Sequence, residues 1–197
     1  MGVVTELEAP PELAGNGIRL RPWRDDDLAA LLAVAEDPYA QLLTGLTPGD
    51  EDGARAHLRG LVKDVRRVRG LGYSFAIADA GTGEAVGSIG MWLRAVAPDG
   101  ATGYREEAHG RGSLGYWIVP AQRRSGLATE ALRTISPWAL SLDGVERLEL
   151  FIETSNVGSW RAAERAGYQR EGLLRSFQRI GSERRDMFVY SRLPTDA

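Results

Sequence analysis

The sequence contains no cysteine, two histidines and a single lysine among 197 residues. Without cysteine, neither a disulfide framework nor a thiol nucleophile is available. The histidines, His57 and His109, are too few for a histidine-rich metal site, so we expect no bound metal. The lysine, Lys63, lies in the context Leu-Val-Lys-Asp, whereas a Walker phosphate loop needs Gly-Lys followed by Ser or Thr. A Walker loop is therefore excluded.

Long apolar runs and a basic N-terminal region are also missing, so the sequence predicts neither a membrane span nor a secretory signal. The net charge of -3 argues against a surface built to bind nucleic acid. With 43% hydrophobic residues, the chain is long enough for one substantial core. We expect a flexible, proline-bearing arm at residues 1–16, then one domain over residues 17–197, in a cytoplasmic protein without a nucleic-acid or membrane partner.

Apolar periodicity and turn residues predict the order of the secondary-structure elements. The first part reads as a strand, two helices and a hairpin, and a long loop separates it from an alternating second part. Predicted strands are Ile18–Arg21, Tyr73–Ala78, Ala85–Leu93, 113–119, Arg147–Glu153, Tyr168–Phe177 and Asp186–Leu193. Predicted helices are 25–35, ending before Pro38, Glu51–Arg69, 126–141 and Val157–Arg165. The predicted loop is Arg94–Gly112, and Pro137 is expected to kink or shorten its helix.

Two glycine-containing segments are possible phosphate sites. Gly110 to Gly115 fits the dinucleotide pattern G-x-G-x-x-G, but that pattern needs a strand before it and a helix after it. Here a strand follows, so we interpret the match as structural. Arg123-Arg-Ser-Gly-Leu-Ala128 instead follows a strand and opens a helix. Small residues at Gly126 and Ala128 let a phosphate approach backbone N–H groups at the helix N-terminus, although a solvated helix start fits the same residues.

A second block follows at Asn156-Val-Gly-Ser-Trp-Arg-Ala-Ala-Glu-Arg-Ala-Gly-Tyr168, and Arg-Glu-Gly begins at Arg170. Together with the segment Arg123 to Ala128, it resembles the acyl-CoA site of the GNAT acyltransferases, in particular the RimJ/RimL type that includes ribosomal-protein N-terminal acetyltransferases. The resemblance covers roughly residues 18–193. It implies the GNAT acyl-CoA N-acyltransferase fold of the α/β (α+β) class: a central mixed, mostly antiparallel sheet of six to seven strands, flanked by about four helices.

The resemblance also implies which residues bind the co-substrate, acetyl-CoA. Pantetheine would lie along a splayed strand at Trp117, Ile118 and Val119. Pyrophosphate would bind Arg123, Arg124, Ser125, Gly126, Leu127, Ala128 and Thr129. Asn156 would bind the pantetheine arm, with Ser159 beside it, and the same asparagine also suits an ordinary helix N-cap. Arg124 departs from the glycine that many relatives carry at this position.

Candidate catalytic residues are Glu149, Ser113 and Tyr116. Glu149 and Glu153 share one face of their strand, where each either serves as a general base or is solvated or salt-bridged. Ser113 replaces a glutamate that close relatives often carry. Ser113 and Tyr116 could join a water chain or protonate the departing thiolate, although a tyrosine in this context also suits a packing role.

The resemblance implies N-acyl transfer by direct attack of an amine on the thioester in a ternary complex. An α-amino group, with a pKa near ~8, needs only a weak base, whereas a lysine near ~10.4 needs a stronger one. Possible acceptors are a protein N-terminus, a free amino compound or an aminated antibiotic. Two alternatives stay open: a non-catalytic acyl-CoA-binding sensor or subunit, and a transferase for a larger acyl-CoA such as succinyl-CoA. A homodimer, which is common among relatives, is also expected.

Overall fold

The computed structural model describes residues 10–63, 72–93 and 110–196. Within them, one sheet is covered by helices on both faces. The strands are β1 Leu13–Ala14, β2 Ile18–Arg21, β3 Gly72–Asp79, β4 Ala85–Leu93, β5 Arg111–Ile118, β6 Arg147–Glu153, β7 Gln169–Ile180 and β8 Glu183–Arg192. The α-helices are α1 Leu28–Ala35, α2 Pro38–Thr44, α3 Glu51–Lys63, α4 Leu127–Ser141 and α5 Val157–Arg165. Short 3-10 helices occur at Asp25–Asp27 and Pro120–Gln122.

The strand order in the sheet is β1-β2-β3-β4-β5-β6-β8-β7. Every neighbouring pair is antiparallel except β5 and β6, which are parallel. The prediction of a mixed, mostly antiparallel sheet with flanking helices is confirmed. The described residues contain eight strands and five α-helices, slightly more than expected.

Two apolar clusters pack on the sheet. One lies against α4 and α5 and contains Leu132, Ile135, Leu148 and Leu150, all nearly inaccessible to solvent. The other involves the first three helices and includes Leu31, Val34, Leu58 and Trp23. Because side chains of a strand alternate between the faces, the central strands β3, β4 and β5 contribute to both layers.

A buried ion pair fixes the start of the first helical layer to the sheet. The Arg21 guanidinium donates two hydrogen bonds of 2.7 Å to the Asp27 carboxylate, and both residues are almost fully buried. Arg21 also donates to the carbonyl of Gly83 at 2.8 Å. Asp27, the last residue of the acidic run that predicts the helix start, therefore also links that start to β2. Arg21 links the same pair to the β3–β4 turn.

Helix α2 was not predicted, because Pro38 was interpreted only as the end of the preceding helix. The structure places Pro38 at the first position of α2, where a missing N–H costs nothing and the fixed φ of proline suits the helix. Asp37 caps this helix through hydrogen bonds from the N–H groups of Tyr39 and Ala40.

The last two strands are longer than predicted, and together they form a hairpin through the turn at Gly181, which has a φ of 60°. Their polar, arginine-rich residues carry no alternating apolar signal, because most of β7 is exposed. Pairing with β8 sets the length of β7.

The remaining boundaries agree with the predictions only in part. Helix α4 ends at Ser141, as the predicted range 126–141 has it, so Pro137 does not shorten the helix as expected. Strand β5 begins at Arg111, so the last two residues of the predicted loop belong to the sheet; residues 94–109 of that loop lie outside the described residues. The predicted end of α3 at Arg69 and residues 1–9 of the predicted arm also lie outside them, while Leu13–Ala14 pairs with β2.

Candidate acyl-CoA site

Strands β5 and β6 separate after a short parallel contact. Among the described residues, Arg111, Gly112 and Ser113 alone pair with β6, whereas β5 stays paired with β4 as far as Ile118. Beyond Ser113, the edge of β5 that faces β6 has no strand partner in the described ranges. We call the space between 114–118 and 150–153 the β5–β6 gap.

The backbone groups that face this gap follow from the ladder on the other side of β5. The Val119 N–H donates to the Val86 carbonyl at 3.0 Å, so Val119 bonds toward β4. In an antiparallel strand, alternate residues bond to the same neighbour. Trp117 therefore also bonds toward β4, and the backbone groups of Tyr116 and Ile118 face the gap. These groups are suited to an extended chain of amides such as pantetheine.

A candidate anion site follows the end of β5, in residues 123–129, which we call the anion turn. Gly126, with a φ of 89°, is the N-cap of α4 and supplies no side-chain cap. The first helical bond runs from the Glu130 N–H to the Gly126 carbonyl at 3.0 Å. The N–H groups of Leu127, Ala128 and Thr129 thus precede the helical ladder, where an anion is stabilised by free donors and by the helix dipole.

Two of the side chains of the anion turn bond to other groups of the protein. The Arg123 Nε donates to the Ile118 carbonyl at 3.1 Å, and its guanidinium forms an ion pair with Asp37. The Ser125 hydroxyl donates to the Gln122 carbonyl. Arg124 is exposed with a φ of 66°, and no hydrogen bond or ion pair engages its side chain within residues 10–63, 72–93 and 110–196. The backbone here adopts the conformation that suits the glycine of many relatives.

Asn156 is the N-cap of α5, and its side-chain oxygen accepts from the Ser159 N–H at 3.2 Å. The capping interpretation is therefore confirmed. A cap uses the amide oxygen, which leaves the amide NH2 as a donor for a ligand, so both interpretations of Asn156 remain compatible. Helix α5 follows β6 as α4 follows β5, so both N-termini lie beyond the carboxyl ends of the two parallel strands.

Tyr116 joins β5 to this helix. Its hydroxyl lies 2.8 Å from the Ser159 hydroxyl and donates to the Ser159 carbonyl at 3.1 Å. Burial raises the pKa of Tyr116 to about 12, and the hydrogen bond with Ser159 opposes this rise. The phenol therefore keeps its proton at neutral pH, so it is a possible acid and not a base.

Ser113 and Glu149 are cross-strand neighbours at the closed end of the gap. They are the last residue pair of the parallel ladder, so their side chains project from the same face of the sheet. Glu149 is only 4% exposed, and its Oε1 accepts from Arg147 Nε at 2.8 Å, with Arg111 3.9 Å away. The salt-bridged interpretation of Glu149 is confirmed, and the residue lies beside Ser113 across the two strands.

Glu153, the other carboxylate on this face of β6, is 8% exposed and accepts from the Ser155 hydroxyl at 3.0 Å and Arg185 at 3.3 Å. Burial, together with a hydrogen bond to Glu153, raises the pKa of Tyr39. Between the two carboxylates, Phe151 stacks on Phe177 of β7, with ring centroids 4.9 Å apart. These residues and α2 form a partly apolar wall on the face opposite α4 and α5.

Sequence reasoning missed three residues that contact the site. Asp37, Arg147 and Tyr39 contact site residues, but no motif includes them. For Asp37 a local signal exists, because Asp followed by Pro is a good start for a helix. Its ion pair with Arg123 links residues 86 positions apart, so only the fold reveals it.

The acetyltransferase (GNAT) domain family matches residues 18–169, and the chain belongs to this family. The N-acetyltransferase YoaA of Bacillus subtilis (strain 168), itself uncharacterized, is 26% identical over 182 residues, covering 92% of this chain and 96% of YoaA. The fold is also similar to Mycobacterium smegmatis RimJ in complex with CoA-disulfide, with a TM-score of 0.67, 19% identity and coverage of 94% and 87% of the two chains. The microcin C7 self-immunity acetyltransferase MccE, in complex with acetyl-CoA and AMP, gives a TM-score of 0.70 at 14% identity, covering 90% and 93%.

The chain is thus a GNAT-type N-acetyltransferase, and the fold that it shares with these proteins uses acyl-CoA. Within the described ranges, no three His, Asp or Glu side chains are grouped so as to hold a metal ion. None of the helices in those ranges is long and apolar enough to cross a membrane.

Proposed function

We propose that this enzyme transfers an acyl group, with acetyl from acetyl-CoA as the first choice, to a primary amine in a ternary complex. The observation that carries the proposal is the β5–β6 gap, which offers backbone groups along one wall and the uncapped N-terminus of α4 at its end. Residues that fit pantetheine and pyrophosphate therefore follow each other in the order in which these groups occur in CoA.

The reaction needs three groups from the protein: one that accepts a proton from the amine, one that gives a proton to the thiolate, and one that stabilises the oxyanion. The amine nitrogen forms a bond to the acyl carbon while the carbon–sulfur bond breaks, the amine loses a proton, and the thiolate gains one. A backbone N–H in the gap, from Tyr116 or Ile118, would stabilise the oxyanion that forms on the carbonyl oxygen. These donors are held by the β4–β5 ladder and need no reorganisation.

Glu149 is the proposed acceptor of the amine proton, directly or through a water molecule held by Ser113. Its Oε1 is occupied by Arg147, so the Oε2 atom is the one proposed to accept. Tyr116, protonated at neutral pH, is the proposed donor to the thiolate, with Ser159 as its hydrogen-bond partner. An α-amino group is partly neutral at pH 7 and needs only a weak base, so it is the favoured acceptor class over a lysine side chain.

RimJ and RimL proteins among the structural neighbours suggest a protein N-terminus as one acceptor class, because one of them is described as a ribosomal L7/L12 α-N-protein acetyltransferase. A small amino compound is the other class. The wall formed by Phe151, Phe177 and Tyr39 supports an acceptor with an apolar group beside its amine.

The test is a panel of α-amino peptides, free amino acids, polyamines and aminated antibiotics, each incubated with acetyl-CoA or succinyl-CoA. Free CoA is measured, and mass spectrometry identifies the product. We expect CoA release with acetyl-CoA and at least one α-amine. Tight binding of acetyl-CoA without product on any amine would instead support an acyl-CoA sensor or subunit, and a preference for succinyl-CoA would support the larger donor. Cytoplasmic location and a homodimer stay predictions.

A further inference from the structure

Arg123 links two parts of the protein that no sequence motif connects. Its Nε donates to the carbonyl of Ile118, at the end of the open edge of β5. Its Nη1 pairs with the Oδ2 atom of Asp37, at the start of α2. The side chain of Arg123, the first residue of the anion turn, is therefore held by two other groups of the protein.

Asp37 divides its two oxygens between two tasks. Its Oδ1 accepts from the N–H groups of Tyr39 at 2.7 Å and Ala40 at 3.0 Å, and so caps α2, while its Oδ2 faces Arg123. Its side chain is 13% exposed, against 43% for that of Arg123. Partial burial raises the pKa of Asp37, but the bonds from Ala40, Arg123 and Tyr39 outweigh it and lower that pKa, so Asp37 stays ionised at neutral pH.

We infer that Asp37 is a positioning residue of the acyl-CoA site, which holds Arg123 against the anion turn and couples occupancy of that turn to the order of α2. The inference rests on the proposed function, because it needs a CoA phosphate at the turn. Asp37 does not touch the reacting groups, so its effect passes through Arg123.

The coupling between the anion turn and α2 is expected because α2 is short and partly exposed. This helix has seven residues, and Leu42 and Leu43 on it are 53% and 51% exposed. A helix this short is unstable alone and depends on its cap and its tertiary contacts. If the Arg123 pair orders the anion turn, phosphate binding must strengthen the pair in return, because coupling between two sites is reciprocal. Tyr39, next to Glu153 on the proposed acceptor side, belongs to the same helix.

Arg124 takes the complementary role. It is exposed, and within the described part of the chain its side chain has no hydrogen bond or ion pair, so its charge is available to a phosphate from the solvent side. The two adjacent arginines thus differ in function: Arg123 shapes the turn, and Arg124 supplies charge.

The test uses Asp37→Asn, because asparagine caps a helix as well as aspartate and still accepts from the N–H groups at the start of α2. Only the ion pair is removed. The matched control is Asp50→Asn, since Asp50 accepts from the Gly53 N–H at 2.8 Å near the start of α3 and forms no ion pair with any described residue. CoA binding is measured by calorimetry, and amide exchange over residues 38–44 is followed by mass spectrometry with and without CoA.

We expect D37N to bind CoA about threefold more weakly than wild type, the size that a half-exposed ion pair supports, and D50N to bind like wild type. CoA should slow exchange over residues 38–44 in wild type and D50N but not in D37N. Arg123→Gln also removes the hydrogen bond to the Ile118 carbonyl, so it should weaken CoA binding at least as much as D37N and likewise abolish the protection of residues 38–44 by CoA. The double variant should be no worse than R123Q, because the ion pair is already lost in R123Q.

Unchanged CoA affinity and unchanged α2 protection in D37N would overturn the inference while leaving the proposed function intact. Tighter CoA binding by D37N would also overturn it, because Asp37 would then act only as a negative charge near the phosphates. Failure of the wild-type protein to bind CoA or acetyl-CoA would overturn the proposed function, and the inference with it.

Discussion

Replacing Glu149 with glutamine tests the proposed general base with little change in shape. A positioned base contributes about 10²- to 10⁴-fold to a rate, so kcat for an α-amine acceptor should fall at least about 100-fold, equivalent to about 2.7 kcal/mol of barrier. The affinity for CoA should stay within about twofold of wild type, because Glu149 lies at the closed end of the β5–β6 gap, away from the anion turn.

The structural cost of E149Q can be separated from its catalytic cost. Arg147 loses a charged partner at 2.8 Å but keeps its ion pair with Glu171, so we expect a loss of about 1 to 2 kcal/mol in the free energy of unfolding. Urea denaturation measures this loss. Initial rates at saturating acetyl-CoA, taken across the pH range, measure the catalytic effect on the folded protein.

The sharpest control restores a carboxylate on the neighbouring strand. Ser113 is the cross-strand partner of Glu149, so Ser113→Glu in the E149Q background should recover at least about tenfold of the lost rate. Activity of E149Q within threefold of wild type, with normal CoA affinity, would refute the assignment and leave Glu149 as part of an ion-pair network. A full loss that S113E does not rescue would show that the position of the carboxylate matters more than its presence.

Three further changes test neighbouring parts of the site. Hydrogen bonds from Arg147 and, to a smaller extent, from the Ser191 hydroxyl lower the pKa of Glu171 from 4.5 to about 2. The ionised carboxylate therefore stabilises the fold fully above pH 4.5, and this stabilisation is lost as the pH falls toward 2. Because the Glu171 side chain is 43% exposed, solvent screening limits the contribution, and Glu171→Gln should cost about 1 kcal/mol at pH 7 and flatten the acid limb of stability against pH. Tyr116→Phe should lower kcat about tenfold or more at unchanged KM for acetyl-CoA, whereas an equal kcat would leave the phenol a packing role. Gly126→Ala forces a side chain into a φ of 89°, so CoA affinity should fall by about tenfold or more in calorimetry; an unchanged affinity would argue against a phosphate at this cap.

Local sequence predicts those parts of the site that depend on the backbone of one segment. Gly126 and Ala128 after a strand predict the helix start that the structure shows, and the use of that start by an anion stays a prediction. Asn156 was predicted as a cap for the same reason, and the structure confirms it. Strand β5 and its position before the turn also follow from local residues.

The rest depends on pairing that no local pattern encodes. Ser113 and Glu149 become neighbours only through the register of the two parallel strands, and the ion pair between Asp37 and Arg123 needs α2 to lie beside the turn. The salt bridge of Glu149 with Arg147 was only one of two open interpretations, because two residues on one strand often share a face without contact. Pro38 shows a different failure, since proline at a helix start and proline after a helix end look alike in sequence.

The short ladder between β5 and β6 also divides the sheet mechanically. Among the residues that the structure describes, five strands lie on one side of it and three on the other, and the ladder that joins these halves has three residue pairs. An acyl-CoA bound in the gap, as proposed, would contact both halves and brace them across this short ladder. Binding there should therefore stiffen the two halves against each other, so that the molecule shows its greatest rigidity at the moment when both substrates are in place.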